Sequence, residues 1–347
     1  MTTKKLITLA AVAIVLGGAA YVSSNSKKLK TPSLTGKPVL QALDISEVQR
    51  IEVSTGDGQK NLMLESTDNG WVIKSLFDYP ADIVKIRQNL LTLGGLKIGQ
   101  IATGKKLEHA LTLDLQNASG KSLATLRLGE MQMREPTGQM AMYGGGAYPS
   151  GRYVATESDT VYLVSETLDA FDGAPNRWTE TQIAAVPRNE IITAEYKVGE
   201  ETLKLEKKDG AWTLEGLDEK EELDPSKLHS IDSSLSYLNF NTIADPTLTD
   251  DQLGLTTGTI HTVTLTSGET YTAKIGNAIG ADRYFKISAS FSPTGTNETA
   301  NAQTTAKVTA FNNNAGKWTY LIPTHSADAM TKRRADVVKA KEEPKEE

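Results

Sequence analysis

Four of the seven methionines fall in one short stretch, as Met131-Gln132-Met133 and Met140-Ala141-Met142, followed by Tyr143 and three glycines. Paired thioethers are soft ligands of the kind that hold Cu(I). The same flexible, polarizable side chains also pack adaptably on a sheet or on another protein. Both readings stand on the residues, and the second is carried forward. Met140, Met142, Tyr143 and Tyr148 form the expected partner-contact surface, joined by Arg152 and Arg283; Met131 and Met133 complete the alternative copper set. The two arginines recur in like settings, Arg152-Tyr153 and Arg283-Tyr284, where a guanidinium can meet an anion or brace the fold. A second reading places a glycan or small ligand against exposed Tyr143, Tyr148 and Tyr153, and it predicts a concave aromatic patch where a partner contact predicts a flat apolar one.

Other chemistry lacks its residues. There is no cysteine, which excludes disulfides, thiol nucleophiles and Cys-ligated metals. His109, His229, His261 and His325 are dispersed, without the His-x-x-x-His spacing of a zinc site. No Gly-x-Ser-x-Gly elbow and no phosphate-binding Gly-rich loop occurs. Asp250-Asp251 lacks the surrounding oxygen ligands of a calcium loop and is expected to cap a turn before Leu253. No catalytic residue, cofactor or metal is assigned, and the chain is expected to be non-enzymatic. The net charge of −6 provides no field for a polyanion, so nucleic acid is not an expected partner.

The elements that must position these residues recur in order. Ile51-Glu52-Val53 and Leu62-Met63-Leu64 alternate in the period of half-buried strands, as do Ala194-Glu195-Tyr196 and Leu203-Lys204-Leu205. Asn69-Gly70-Trp71 and Asp209-Gly210-Ala211-Trp212 each open a further strand from a tight turn. Helical spacing follows: Ile83, Ile86, Leu90, Leu91 and Leu93 after Asp82, then Leu228, Ile231, Leu235 and Leu238 after Asp224-Pro225. An Asp N-cap with Pro at the first helical position is a start signal. Two more strands meet at Ser119-Gly120 and at Ser267-Gly268, and each second strand is expected to end in a glycine, Gly129 or Gly276. The pattern predicts an α+β fold, a tandem duplication of a unit with an antiparallel sheet and one or two packed helices. The units are expected over residues 39–186 and 187–331. Glu130–Ser150 and Ser292–Gly316 read as inserted surface loops, and 332–347 as a charged tail, a short helix that frays into disorder.

Lys4 and Lys5 precede the apolar run Leu6–Ala20, the pattern of a segment that enters an export channel. Residues 1–24 are expected to remain as a signal anchor, with cleavage before Tyr21 as the alternative, and 25–38 to form a linker. The expected location is the bacterial inner membrane, single-pass, with the C-terminal part periplasmic. The membrane itself is then a partner through the N-terminal helix.

The succession of Asp44-Ile45, Ile51-Glu52-Val53, Gly70-Trp71, Pro80-Ala81-Asp82, Leu126-Arg127-Leu128-Gly129, Arg152-Tyr153-Val154 and Val161-Tyr162-Leu163-Val164 resembles the bacterial DUF4340 family, over most of residues 39–325. That resemblance implies an envelope accessory or adaptor, with ABC-transporter components of the gliding-motility type, or other envelope subunits, as partners. It carries no catalytic residues.

Overall fold

Alternating burial along β1 (Arg50–Ser54), β2 (Lys60–Thr67) and β6 (Leu111–Gln116) turns Ile51, Val53, Leu62, Leu64, Leu113 and Leu115 to one face, all essentially inaccessible. A computed structural model describes residues 34–341, apart from 42, 138–141, 143, 144 and 159. The expected anchor, the linker before Leu34, Met140, Tyr143 and the last six residues lie outside the described residues. With β3 (Gly70–Ile73), β4 (Tyr79–Pro80), β5 (Gln100–Ile101), β7 (Ser122–Arg134), β8 (Tyr148–Ala155) and β9 (Tyr162–Val164), these strands form one antiparallel sheet. Its order is β4-β3-β2-β1-β6-β7-β8-β9-β5.

The second sheet holds β11 (Ile191–Val198), β12 (Glu201–Lys208), β13 (Ala211–Leu214), β16 (Thr242–Ile243), β17 (Thr259–Leu265), β18 (Glu269–Ile279), β19 (Asp282–Phe291) and β20 (Tyr320–Pro323). Its order is β13-β12-β11-β17-β18-β19-β20-β16, antiparallel throughout. Taken in chain order, its eight strands occupy the same places as eight of the nine in the first sheet. Two small ladders complete the structure: β10 (Gln182–Ala184) with β15 (Leu238–Asn239), and β14 (Glu221–Leu223) with β21 (Val338–Ala340). The fold is α+β, mostly antiparallel sheet with few helices.

Helix α1 (Ile83–Gly94) begins where Asp82 accepts hydrogen bonds from the amides of Val84 and Lys85, and α2 (Pro225–Ser233) where Asp224 accepts from Ser226. Ile86, Leu90 and Leu93 of α1 are buried, but Ile83 and Leu91 are exposed. The buried stripe is therefore narrower than the helical spacing predicts, because the helix packs on the core along one line of its surface. Trp71 and Trp212 each take the second place of their strand, opposite Ser66 and Lys207; β13 is an edge strand, whereas β4 flanks β3. Trp212 is buried and Trp71 half-buried.

Three segments depart from the expected pattern. Residues 298–314, read as part of a loop, form α3 (Glu298–Asn314), capped by Asn297 and rich in Ala, a strong helix former. The Asn312 carboxamide bonds both the amide and the carbonyl of Ala289, covering a stretch of β19 that β20 does not reach. The tail from Lys332 is not helical: Arg334–Asp336 makes one 3-10 turn, Val337 is buried, and β21 pairs with β14. Gly36 and Val39, expected in or beside a linker, donate their amides to the Ile98 and Leu96 carbonyls, and the Ile98 amide donates to the Lys37 carbonyl, which straps the chain to the first unit. Val39 and Leu40 bury their side chains there, which gives that strap an apolar reason to stay. Short α4 (Thr324–Asp328) follows β20.

Candidate functional site

The strands expected to stop at glycine instead run through it as β-bulges. In β7 the register passes from Leu128↔Val154 to Met131↔Arg152, and in β18 from Ile275↔Phe285 to Ala278↔Arg283. Two residues thus oppose one, and a bulge leaves backbone groups outside the ladder. Arg152 Nε donates to the Gly129 carbonyl at 2.9 Å, and Arg283 Nε to the Gly276 carbonyl at 3.1 Å, with Nη2 at 2.7 Å. Arg152 is buried, and its Nη1 also reaches the Leu168 carbonyl and Asp172. A Cβ at Gly129 would meet Leu107 at 2.5 Å, and one at Gly276 the Leu253 carbonyl at 2.3 Å. In both units the arginine satisfies the carbonyl of a glycine that a neighbouring loop overlies. These guanidiniums work inside the fold.

The other sequence-singled residues do not converge on a centre. Met131 and Met133 lie on β7, Met133 about half exposed, and Met142 is 85% exposed beyond the strand. Tyr148 opens β8 opposite Arg134 and is exposed. The Tyr153 hydroxyl donates to Gln132, and Lys105 lies 4.4 Å from its ring. His109, His229 and His325 are exposed. His261 is fully buried between Tyr196, stacked at 4.3 Å, and Ser234. Among the described residues no three His, Asp or Glu side chains are grouped to hold a metal ion. No described helix is long and apolar enough to cross a membrane.

What the fold does assemble is a cleft of about 450 Å³ where the two units meet. Its first wall comes from the turn leading into α1. Tyr79 on β4 packs against Trp318 at 4.9 Å, Phe240 at 5.3 Å and Tyr320 at 6.4 Å, all three from the second unit. Such tilted and edge-on contacts suit the ring quadrupoles. Tyr320 is buried, and its hydroxyl donates to the Ala315 carbonyl. Tyr79 and Trp318 are half-buried, so part of each ring faces the cleft. Burial pushes the Tyr79 and Tyr320 phenols above their ordinary range, so both remain neutral hydroxyls.

The connecting segment holds this wall in place. Thr179 Oγ1 donates to the Pro80 carbonyl at 2.8 Å, Lys85 Nζ reaches the Thr179 carbonyl at 2.6 Å, and the Asp82 amide bonds the Trp178 carbonyl at 2.7 Å. Just beyond, β10 joins β15, so residues 182–184, expected in the first unit, pair with the second. The opposite rim is the C-terminal end of α3, where Asn313, Asn314 and Lys317 are exposed, facing Glu180 and Gln182. The cleft therefore depends on α3, a segment whose composition reads as a loop. Tyr79 and Trp318 carried no signal of this kind beyond being aromatics at strand ends beside polar residues.

Fold and site together define a two-unit antiparallel α+β protein with an aromatic cleft at its junction. Residues 71–257 match the family model described as "Domain of unknown function (DUF4340)", more than half of the chain, and the chain belongs to that family. The match runs from Trp71 through the junction to just before β17, taking in Tyr79, Thr179 and Phe240 but not Trp318. No curated protein and no solved structure matches the chain.

Proposed function

We propose that this protein is a non-enzymatic accessory module of an envelope assembly, tethered to the inner membrane by its N-terminal segment, and that it works by binding a small ligand in the cleft between its units. The observation that carries this reading is the cleft itself. Its volume falls within the roughly 300–1,000 Å³ of small-molecule sites, and it combines part-exposed aromatic rings with convergent amide, carboxylate and hydroxyl groups. A concave aromatic surface favours a ligand over a flat protein contact, although its residues differ from the tyrosines singled out by sequence. The tether rests on Lys4-Lys5 and the run Leu6–Ala20, and an ABC-transporter-type partner rests on the family resemblance. The two units are read as a tandem duplication, supported by the shared strand order and by the twice-built glycine–arginine bulge.

Screening a chemically mixed fragment library against the full chain tests the binding reading, with Trp318 as the reporter. Saturable responses confined to cleft residues are expected; a library that never perturbs them refutes the reading. The tether is tested separately by a reporter fused after Glu347. Activity restricted to the cytoplasmic side would reverse the orientation.

A further inference from the structure

The charges around the cleft are balanced. Asp82 and Glu180 contribute two carboxylates, while Lys317 lines the rim and Lys85 sits behind Thr179. Asp82 already accepts from the amides of α1, and Lys85 is held by a carbonyl. Lys317 lies 5.9 Å from the Trp318 ring centroid, so the ring face that would attract a cationic ligand already has a cation beside it. Neither an anion nor an amine is selected by such a field. What the cleft does offer is ring surface from Tyr79 and Trp318, bordered by the carboxamides of Gln182, Asn313 and Asn314. A carboxamide presents a donor and an acceptor side by side, the pair that a vicinal diol answers, while the C–H face of a pyranose ring covers an aromatic face without charge.

We infer that the cleft binds a neutral saccharide, its ring laid against Trp318 and Tyr79 and its hydroxyls bonded by Gln182, Asn313 and Asn314. This rests on the cleft being the binding site proposed above, and adds the class of ligand. The sugar ring gains apolar contact on one face, and its hydroxyls exchange water for the rim amides, so binding is insensitive to salt.

The four tryptophans make the test direct. The full-length chain is labelled with 5-fluorotryptophan and kept in a polyoxyethylene detergent, since a maltoside headgroup would itself be a ligand. Glucose, N-acetylglucosamine, maltose and cellobiose are titrated, with choline chloride and sodium acetate as cationic and anionic comparators. The expected result is a saturable shift of the Trp318 resonance by at least one saccharide, unchanged in about 0.5 M salt, with Trp71, Trp178 and Trp212 unmoved. Asn314→Ala, at an exposed rim position, weakens that binding about fivefold by calorimetry for one lost hydrogen bond. If choline or acetate moves Trp318 and no saccharide does, the ligand class is wrong while the cleft remains a binding site. If none of the six compounds moves it, the saccharide inference fails, and the mixed library above then decides the binding reading independently.

Discussion

Acid should weaken this protein through one imidazole well before its carboxylates titrate. His261 on β17 is fully buried, stacked on Tyr196, with Nε2 2.9 Å from Ser234 Oγ and Nδ1 3.2 Å from the Glu195 carbonyl. Burial pushes its pKa down from 6.5 to about 4, and Lys332 adds to this while the Glu195 carbonyl opposes it. The folded state therefore keeps the ring neutral where the unfolded chain has taken up a proton. Below pH 6.5 the unfolded state binds more protons, so stability is full above that pH and falls as pH drops toward 4. At 1.36 kcal/mol per pKa unit, the loss between pH 7 and pH 4.5 is about 2 kcal/mol. His261→Leu removes the titrating group and installs the residue type that Leu113 provides at the corresponding register position, opposite Val53 as His261 is opposite Tyr196. Urea unfolding of wild type and variant, followed by circular dichroism at several pH values, measures the difference. The wild-type curve should fall by about 2 kcal/mol more than the variant curve over that window. Parallel curves would refute the assignment of a buried neutral imidazole.

Three further outcomes follow from the same packing. The Tyr196 hydroxyl is buried without a hydrogen-bond partner among the described residues, so Tyr196→Phe should leave stability unchanged or raise it by up to about 1 kcal/mol in thermal unfolding. Arg152→Gln should cost about 3 kcal/mol, since it removes a buried charge from Asp172 and from the bulge carbonyl, while Arg283→Gln, half-exposed and bonded to the Gly276 carbonyl, should cost about 1. Gly276→Ala should destabilise by about 2 kcal/mol because its Cβ would meet the Leu253 carbonyl at 2.3 Å, whereas Gly56→Ala, with open space around it, serves as the neutral control.

Much of the scaffold is written locally. The alternation of Ile51 and Val53 or of Leu203 and Leu205 sets which face of each strand is buried, because side chains on a strand reverse direction at every residue. Asp82 and Asp224 start their helices because an N-cap needs only a short acceptor two or three residues from free amides. The recurrence of Trp71 and Trp212, and of Arg152 and Arg283, was equally visible, since each repeats beside the same turns.

Contacts between distant segments were not legible. Hydrophobic periodicity does not reveal α3 around Asn301, because the helix shows almost no apolar stripe and buries only Val308; it is docked by long-range contacts, Asn312 on Ala289, Lys307 on Glu269 and Phe311 on Tyr271. Nothing near Gly129 or Gly276 announces a bulge, which exists only when the partner strand is one residue short. The cleft is the extreme case. Tyr79 and Trp318 are 239 positions apart in the chain and meet at 4.9 Å. The sequence by itself determined the strands, caps and repeated order, through interactions a few residues long. Only the tertiary structure decided the site, because a cavity belongs to no segment and arises from how two finished units leave space between them.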